Sequence, residues 1–211
     1  MALKISEILT WTEYFKKTLY NQIKPVFTES VSNVKPSYND ELNNKVSLLK
    51  TDITKLEIDA IVNAANKTLL GGSGVDGAIH KAAGPQLKEE CKTLKGCETA
   101  EAKITKGYNL PAKHVIHTVG PIGENSFLLK LAYENCLKVC RENNLRTIAF
   151  PCISTGVYGY PQEKACQIAL QTVRNFLESN HTSVERIIFV VFLKEDETFY
   201  EKYLQFFFPI E

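Results

Sequence analysis

Residues 61–80 read IVNAANKTLLGGSGVDGAIH, and the order of residue types in this stretch decides the fold class. Ile61 and Val62 close a short apolar run of the kind that forms a buried strand. Asn63, Ala64, Ala65 and Asn66 follow, then the tract Leu69-Leu70-Gly71-Gly72-Ser73-Gly74. From Gly74-Val75 to Ala83 the pattern is helical. Strand, glycine loop and helix in succession mark an α/β unit. Glycines let main-chain N–H groups approach a ligand closely, and the first N–H groups of a helix are unpaired donors in a favourable dipole. The tract therefore reads as an anion site that needs no lysine.

Residues 72–77 match G-x-G-x-x-G, but two requirements of a dinucleotide fold are missing. The glycines do not follow the strand directly, and no acidic residue stands about 20 positions on at a strand end. No Gly-Lys-Ser/Thr follows, so a phosphate-loop NTPase is excluded. Asp76 has two readings. It is an acid that complements the helix dipole, or a carboxylate that orients a sugar hydroxyl or a water beside an anion that would otherwise repel it.

Outward from this stretch, apolar runs at Val46–Leu49, Ala60–Val62, Ala102–Thr105, His114–Val119, Thr147–Phe150 and Ile187–Phe192 alternate with helical patterns at Gly74–Ala83, Phe127–Asn143, Gln162–Asn180 and Asp196–Phe207. The alternation predicts a parallel or mixed sheet with helices on both faces, and ligands bind beyond the carboxyl ends of such strands. A second loop there, Pro151 to Pro161, joins Ser154, Thr155, Gly156, Val157, Tyr158 and Gly159 at its tip. Its amides and hydroxyls are expected to grip a diphosphate opposite the first loop, with Tyr158 or Tyr160 packing on a sugar or base. The bland reading is a glycine turn before a helix.

Residues 3–20 place apolar side chains at helical spacing and predict one amphipathic helix. The polar stretch 28–44 reads as a linker, so residues 1–44 are taken as an extension packing on a domain of residues 45–211. The 211 residues carry a formal net charge of +1, which points to no nucleic-acid or membrane partner. No apolar run approaches the roughly 18 residues of a membrane helix, and the first residues do not read as a secretory signal. A cytoplasmic or nuclear location follows as an expectation, with six cysteines as reduced thiols. They form no C-x-x-C pair, and Cys136 and Cys140 are expected in a helix core. Nothing compels a dimer, so a monomer is expected.

At this point the residues resemble the macrodomain family, and within it the MacroD-type ADP-ribosyl hydrolases. The resemblance covers about residues 45–208 and rests on Asp52-Ile53-Thr54, Asp59 to Asn66, Leu69 to Pro85, Val115 to Pro121 and Pro151 to Pro161. It implies a three-layer α/β/α fold around a mixed sheet and ADP-ribose as ligand. It places Asp52 on the adenine amino group with the Ile53 N–H nearby, Asn66 on the distal ribose, and the backbone of Gly72, Ser73, Gly74 and Val75 along that sugar and its phosphate. Ser154, Thr155, Gly156, Val157 and Tyr158 wrap the diphosphate, Phe192 flanks the adenine, and Asp76 is the catalytic carboxylate. Thr51, Ser73 and Tyr160 depart from the usual pattern without removing a polar group the chemistry needs. The resemblance implies no cofactor, no metal and no efficient cleavage within polymers, because the zinc-bearing loop and the paired-glutamate signature are absent.

Three functions follow as expectations. The first is a hydrolase acting on mono-ADP-ribose esterified to acidic residues of proteins and on O-acetyl-ADP-ribose, with Asp76 and Asn66 catalytic and His80 structural. The second is a reader that binds ADP-ribosylated proteins without turnover. The third is a thiol hydrolase pairing Cys152 with His117, for which no nucleophile signature is present.

Overall fold

The computed structural model describes residues 2–22, 24, 25, 27 and 36–211. Among the described residues eight strands are formed: β1 (Leu3–Lys4), β2 (Val46–Lys50), β3 (Leu56–Glu57), β4 (Ala60–Ala64), β5 (Ala102–Lys106), β6 (His114–Thr118), β7 (Thr147–Phe150) and β8 (Arg186–Val191). The α-helices are α1 (Trp11–Tyr14), α2 (Asp40–Asn43), α3 (Gly74–Ala83), α4 (Pro85–Thr93), α5 (Ser126–Glu142), α6 (Gln162–Asn180) and α7 (Lys194–Phe207).

Six strands make the central sheet in the order β2-β8-β7-β4-β6-β5. Five run parallel and β5 is antiparallel to β6, so the sheet is mixed. Period-two alternation sends side chains to both faces. Val62, Ile116, Ile148 and Phe189 enter a core with residues of α5, α6 and α7, among them Leu129, Leu170 and Leu204. Ile61, Val115, Ala149 and Ile188 enter a second core with Ile79 of α3 and Leu87 of α4. The result is a mixed sheet with helices on both faces, as the alternation predicts, and the three-layer α/β/α sandwich that the resemblance implies.

Several elements differ from the sequence expectation. Residues 3–20 are not one helix. Leu3–Lys4 pairs in parallel with Leu56–Glu57, and the helix starts only at Trp11. A capping box sets that start, with Glu13 N–H donating to Thr10 Oγ1 at 3.2 Å and Thr10 N–H to Glu13 Oε2 at 2.8 Å. After Tyr14 the helix widens into a π-helical turn over Phe15–Leu19. Trp11, Phe15 and Leu19 lie in the larger core, and Trp11 Nε1 donates to the carbonyl of Phe208 at 2.8 Å. Helix α4 was not foreseen. It begins at Pro85, a favoured first position, behind Gly84 at φ +83°, and buries Leu87 and Cys91 one turn apart. Of the expected linker, residues 28–35 lie outside the described residues, and Asp40–Asn43 forms one turn capped by Asn39.

Candidate functional site

Because β2, β8, β7 and β4 are parallel neighbours, the segments that follow them emerge side by side at one edge of the sheet. Asp52 and Ile53 follow β2, Phe192 follows β8, the loop from Pro151 to Pro161 follows β7, and the loop from Ala65 to Ser73 follows β4. At about 4.8 Å per strand, three spacings span about 14 Å. The expected adenine, diphosphate and distal-ribose contacts therefore stand in the order in which those groups occur in one ligand.

At the β2 end, Asp52 is exposed, and its Oδ1 accepts from Thr54 N–H at 2.9 Å and Thr54 Oγ1 at 2.7 Å. Among the described residues both of these bonds fall on Oδ1 and none on Oδ2. The Ile53 side chain is in the core, so only its main chain is available to a ligand. Phe192 is 78% exposed, an unusual position for a large aromatic.

The first loop ends on the N-terminus of α3. Ser73 stands at the cap position but its side chain makes no capping bond, so the first N–H groups of the helix stay open. Asn66 is half-buried and braces the loop, with Oδ1 accepting from Thr68 N–H and Oγ1 and Nδ2 donating to the Gly71 carbonyl at 3.1 Å. Asp76 is only 3% exposed. A side-chain carbon at Gly72 would lie 2.9 Å from Asp76 Oδ2 and 3.2 Å from Asn66 Nδ2, so the bare glycine lets the loop pass between the amide and the carboxylate. A carbon at Gly77 would lie 2.5 Å from the Gly72 carbonyl, which fixes how closely α3 approaches the loop.

The Asp76 carboxylate is bonded by Asn63 and approached, without a hydrogen bond, by His80. Asn63 Nδ2 donates to its Oδ1 at 2.8 Å, and His80 Nε2 lies 3.5 Å from the same oxygen. Burial raises the Asp76 pKa above the ordinary carboxylate value, and the Asn63 bond and His80 oppose that rise. Burial lowers the His80 pKa, opposed by Asp76, while Lys88 pushes in the same direction as burial. A cleft of about 450 Å³ lies against the first loop, bordered by Gly71, Gly72, Gly77, His80, Lys81 and Lys88 among others. It takes in no residue of the second loop.

The second loop is built differently. Ser154 is buried at φ +67°, and its Oγ faces Gly120, where no side chain stands in its way. Thr155 Oγ1 donates back to the Cys152 carbonyl at 3.0 Å. The hydroxyls expected to grip a diphosphate are thus turned toward the protein. Among the described residues the N–H groups of Gly156, Val157 and Tyr158 donate to no protein acceptor. The space beside Gly156 is open, with nothing within 4 Å of where a side-chain carbon would stand. Val157 is 89% exposed, and Tyr158 is half-buried against the core that holds Leu69 and Ile79. Main chain, then, is what this loop offers a ligand.

Cys152 and His117 do not meet. Burial pushes the Cys152 thiol pKa up, and its neighbours are Tyr200 and Asp196. His117 instead contacts Asn63, Thr105 and Cys91. Neither Asn63 nor Thr105 was singled out from the sequence. The available signal was a polar residue in the middle of an apolar strand, in Ile61-Val62-Asn63 and again in Val115-Ile116-His117.

Comparison with known proteins places this geometry in a family. The Macro domain family model matches residues 62–169. The chain is 52% identical, over 99% of its length, to ADP-ribose glycohydrolase MACROD2 of Mus musculus, of which it spans 44%. It is 49% identical, over 99% of its length, to ADP-ribose glycohydrolase MACROD1 of Rattus norvegicus, of which it spans 80%. A crystal structure of the Trypanosoma brucei macrodomain in complex with ADP-ribose superposes with a TM-score of 0.81 at 40% identity, covering 95% of this chain and 76% of that one. The chain belongs to the macrodomain family. It spans less than half the length of the mouse MACROD2 relative.

Proposed function

We propose that this chain binds ADP-ribose along the carboxyl edge of its sheet and hydrolyses mono-ADP-ribosyl esters on acidic side chains of proteins. The observation that carries the reading is the buried Asp76 carboxylate at the mouth of an open helix N-terminus. A site built only to hold an anion has no use for that charge. The names of the MACROD relatives and the ADP-ribose held by the trypanosomal macrodomain support ADP-ribose as the ligand and hydrolysis as the class of reaction.

The diphosphate lies against the free amides of Gly156 to Tyr158 and of Gly74 and Val75, with Ser154 and Thr155 contributing backbone. Asp52, the Ile53 N–H and Phe192 take the adenine. Asn66 and the backbone of Gly72 and Ser73 line the distal ribose. Clamping both ends fixes the ester against one water. Asp76 accepts a proton from that water as its oxygen bonds to the ester. The acyl carbon–oxygen bond breaks, Asp76 gives the proton it took to the leaving ribose oxygen, and ADP-ribose and the free carboxylic acid depart. A carboxylate of raised pKa is a better base, when ionised, than an ordinary one. O-acetyl-ADP-ribose carries the same linkage and is the expected small-molecule substrate.

Micromolar binding requires about 8 kcal/mol, within reach of several charge-assisted hydrogen bonds at about 1.5–3 kcal/mol each. Single-turnover release of ADP-ribose from an acid-linked, mono-ADP-ribosylated protein tests the proposal. Tight binding of ADP-ribose with no release would make the chain a reader instead.

A further inference from the structure

The geometry points to a buried relay, Thr105–His117–Asn63, that positions the Asp76 carboxylate and admits only one tautomer of His117. The inference rests on the reading of Asp76 as the group that activates water. Asn63 and His117 are direct register partners on β4 and β6, and both are fully buried. The Asn63 amide has two N–H bonds and uses both. One donates to Asp76 Oδ1 at 2.8 Å, and the other points to His117 Nδ1 at 3.1 Å.

That arrangement dictates the protons. Nδ1 of His117 must accept, so its Nε2 carries the hydrogen and donates to Thr105 Oγ1 at 2.9 Å. Turning the Asn63 amide over would set its carbonyl oxygen against the carboxylate and require a proton on His117 Nδ1. The amide orientation, the His117 tautomer and the ionisation of Asp76 are therefore one coupled choice. The relay has a cost, because Asn63 Oδ1 is buried without a partner. An apolar pair of similar shape would fill the same space without that penalty, so stability alone does not account for these residues.

The surroundings keep the relay in one state. His117 is faced by Asn63 from β4, Thr105 from β5, Cys91 Sγ at 3.8 Å from α4, and the His80 ring from α3 at 6.4 Å between centroids. Burial, aided by His80, pushes its pKa down to about 3, so it stays neutral near physiological pH. Asp76 is faced by Asn63, by His80 on its own helix and by Cys91, with Lys88 of α4 acting on His80. His117 is thus a positioning residue that touches no substrate.

The test uses the full chain and begins with nitrogen chemical shifts of its histidines. His117 is expected as the Nε2–H form, without titrating across the range in which an ordinary histidine does. His117→Phe removes the acceptor and leaves Asn63 free to turn. It is expected to slow single-turnover hydrolysis about 10- to 100-fold, the scale on which outer partners of reactive groups act, while the Kd for ADP-ribose stays within about twofold. Losing a donor to the charged form raises a carboxyl pKa, so the acid limb of the rate profile moves to higher pH. His117→Asn, which sets an oxygen near the Nδ1 position, should return the limb toward wild type. Thr105→Val, nearly isosteric, carries the same test if His117→Phe does not fold, with a smaller shift in the same direction. An Nδ1–H tautomer, a titrating His117, or an acid limb unmoved in the folded variants overturns the relay. Hydrolysis surviving Asp76→Ala overturns the underlying reading of the site, and a relay failure beside an inactive Asp76→Ala leaves that reading standing.

Discussion

The two loops at the carboxyl edge of the sheet solve different problems with different parts of the chain. The loop after β4 delivers a side chain: Asp76 is buried, bonded by Asn63 and flanked by His80. The loop after β7 delivers backbone: its hydroxyls turn inward and its amides are left open. On the proposed reading, one wall carries chemistry that a single atom can abolish. The other carries recognition that tolerates side-chain changes but not obstruction.

The sharpest way to break the contrast is Asp76→Ala. Hydrolysis should fall about 10²–10⁴-fold, the usual worth of a positioned general base, while calorimetry shows ADP-ribose binding unchanged or tighter once a negative charge beside the diphosphate is gone. Next is Gly156→Glu. The new side chain meets open space, so the fold is kept, but like charges brought together cost several kcal/mol. The Kd for ADP-ribose should weaken at least about 100-fold by calorimetry, and matching titration curves would refute the diphosphate placement.

A subtler distinction lies in pH. In the proposed mechanism hydrolysis needs ionised Asp76, so its rate should drop on acidification at a pH above that of an ordinary aspartate, near 3.9. Stability has the opposite dependence. With the folded pKa raised, the favourable contribution of Asp76 is present below the unfolded value and is lost as pH rises through the folded one. Asp76→Asn should therefore raise Tm at neutral pH, and the gain should vanish near pH 3. The smallest expected effect is Ser154→Ala. Because Oγ faces Gly120 rather than the ligand, the Kd should change by less than about twofold, within the range of an unimportant contact.

Both loops were legible in the sequence because glycine and position after a strand are local signals. The α/β alternation was equally plain, and the sheet places β4 and β7 next to each other as an anion crevice requires. The polar support beneath Asp76 was hidden for a different reason. Asn63 and His117 are 54 positions apart, and only the strand register shows that they face one another. Helix α4 escaped because Gln86, Lys88, Glu89 and Glu90 dilute its apolar face to Leu87 and Cys91. Residues 3–20 misled because apolar spacing does not mark where a helix begins, and the Thr10–Glu13 box does.

The one tryptophan of the chain gives it a built-in optical gauge. Trp11 is wholly shielded and bonded to the carbonyl of Phe208, so its fluorescence reports whether the first helix is still docked on the end of the last. Heating should shift the emission to the red in the same transition that melts the circular dichroism. A red shift at lower temperature would reveal that the amino-terminal helix peels away first, leaving a sandwich that holds without it.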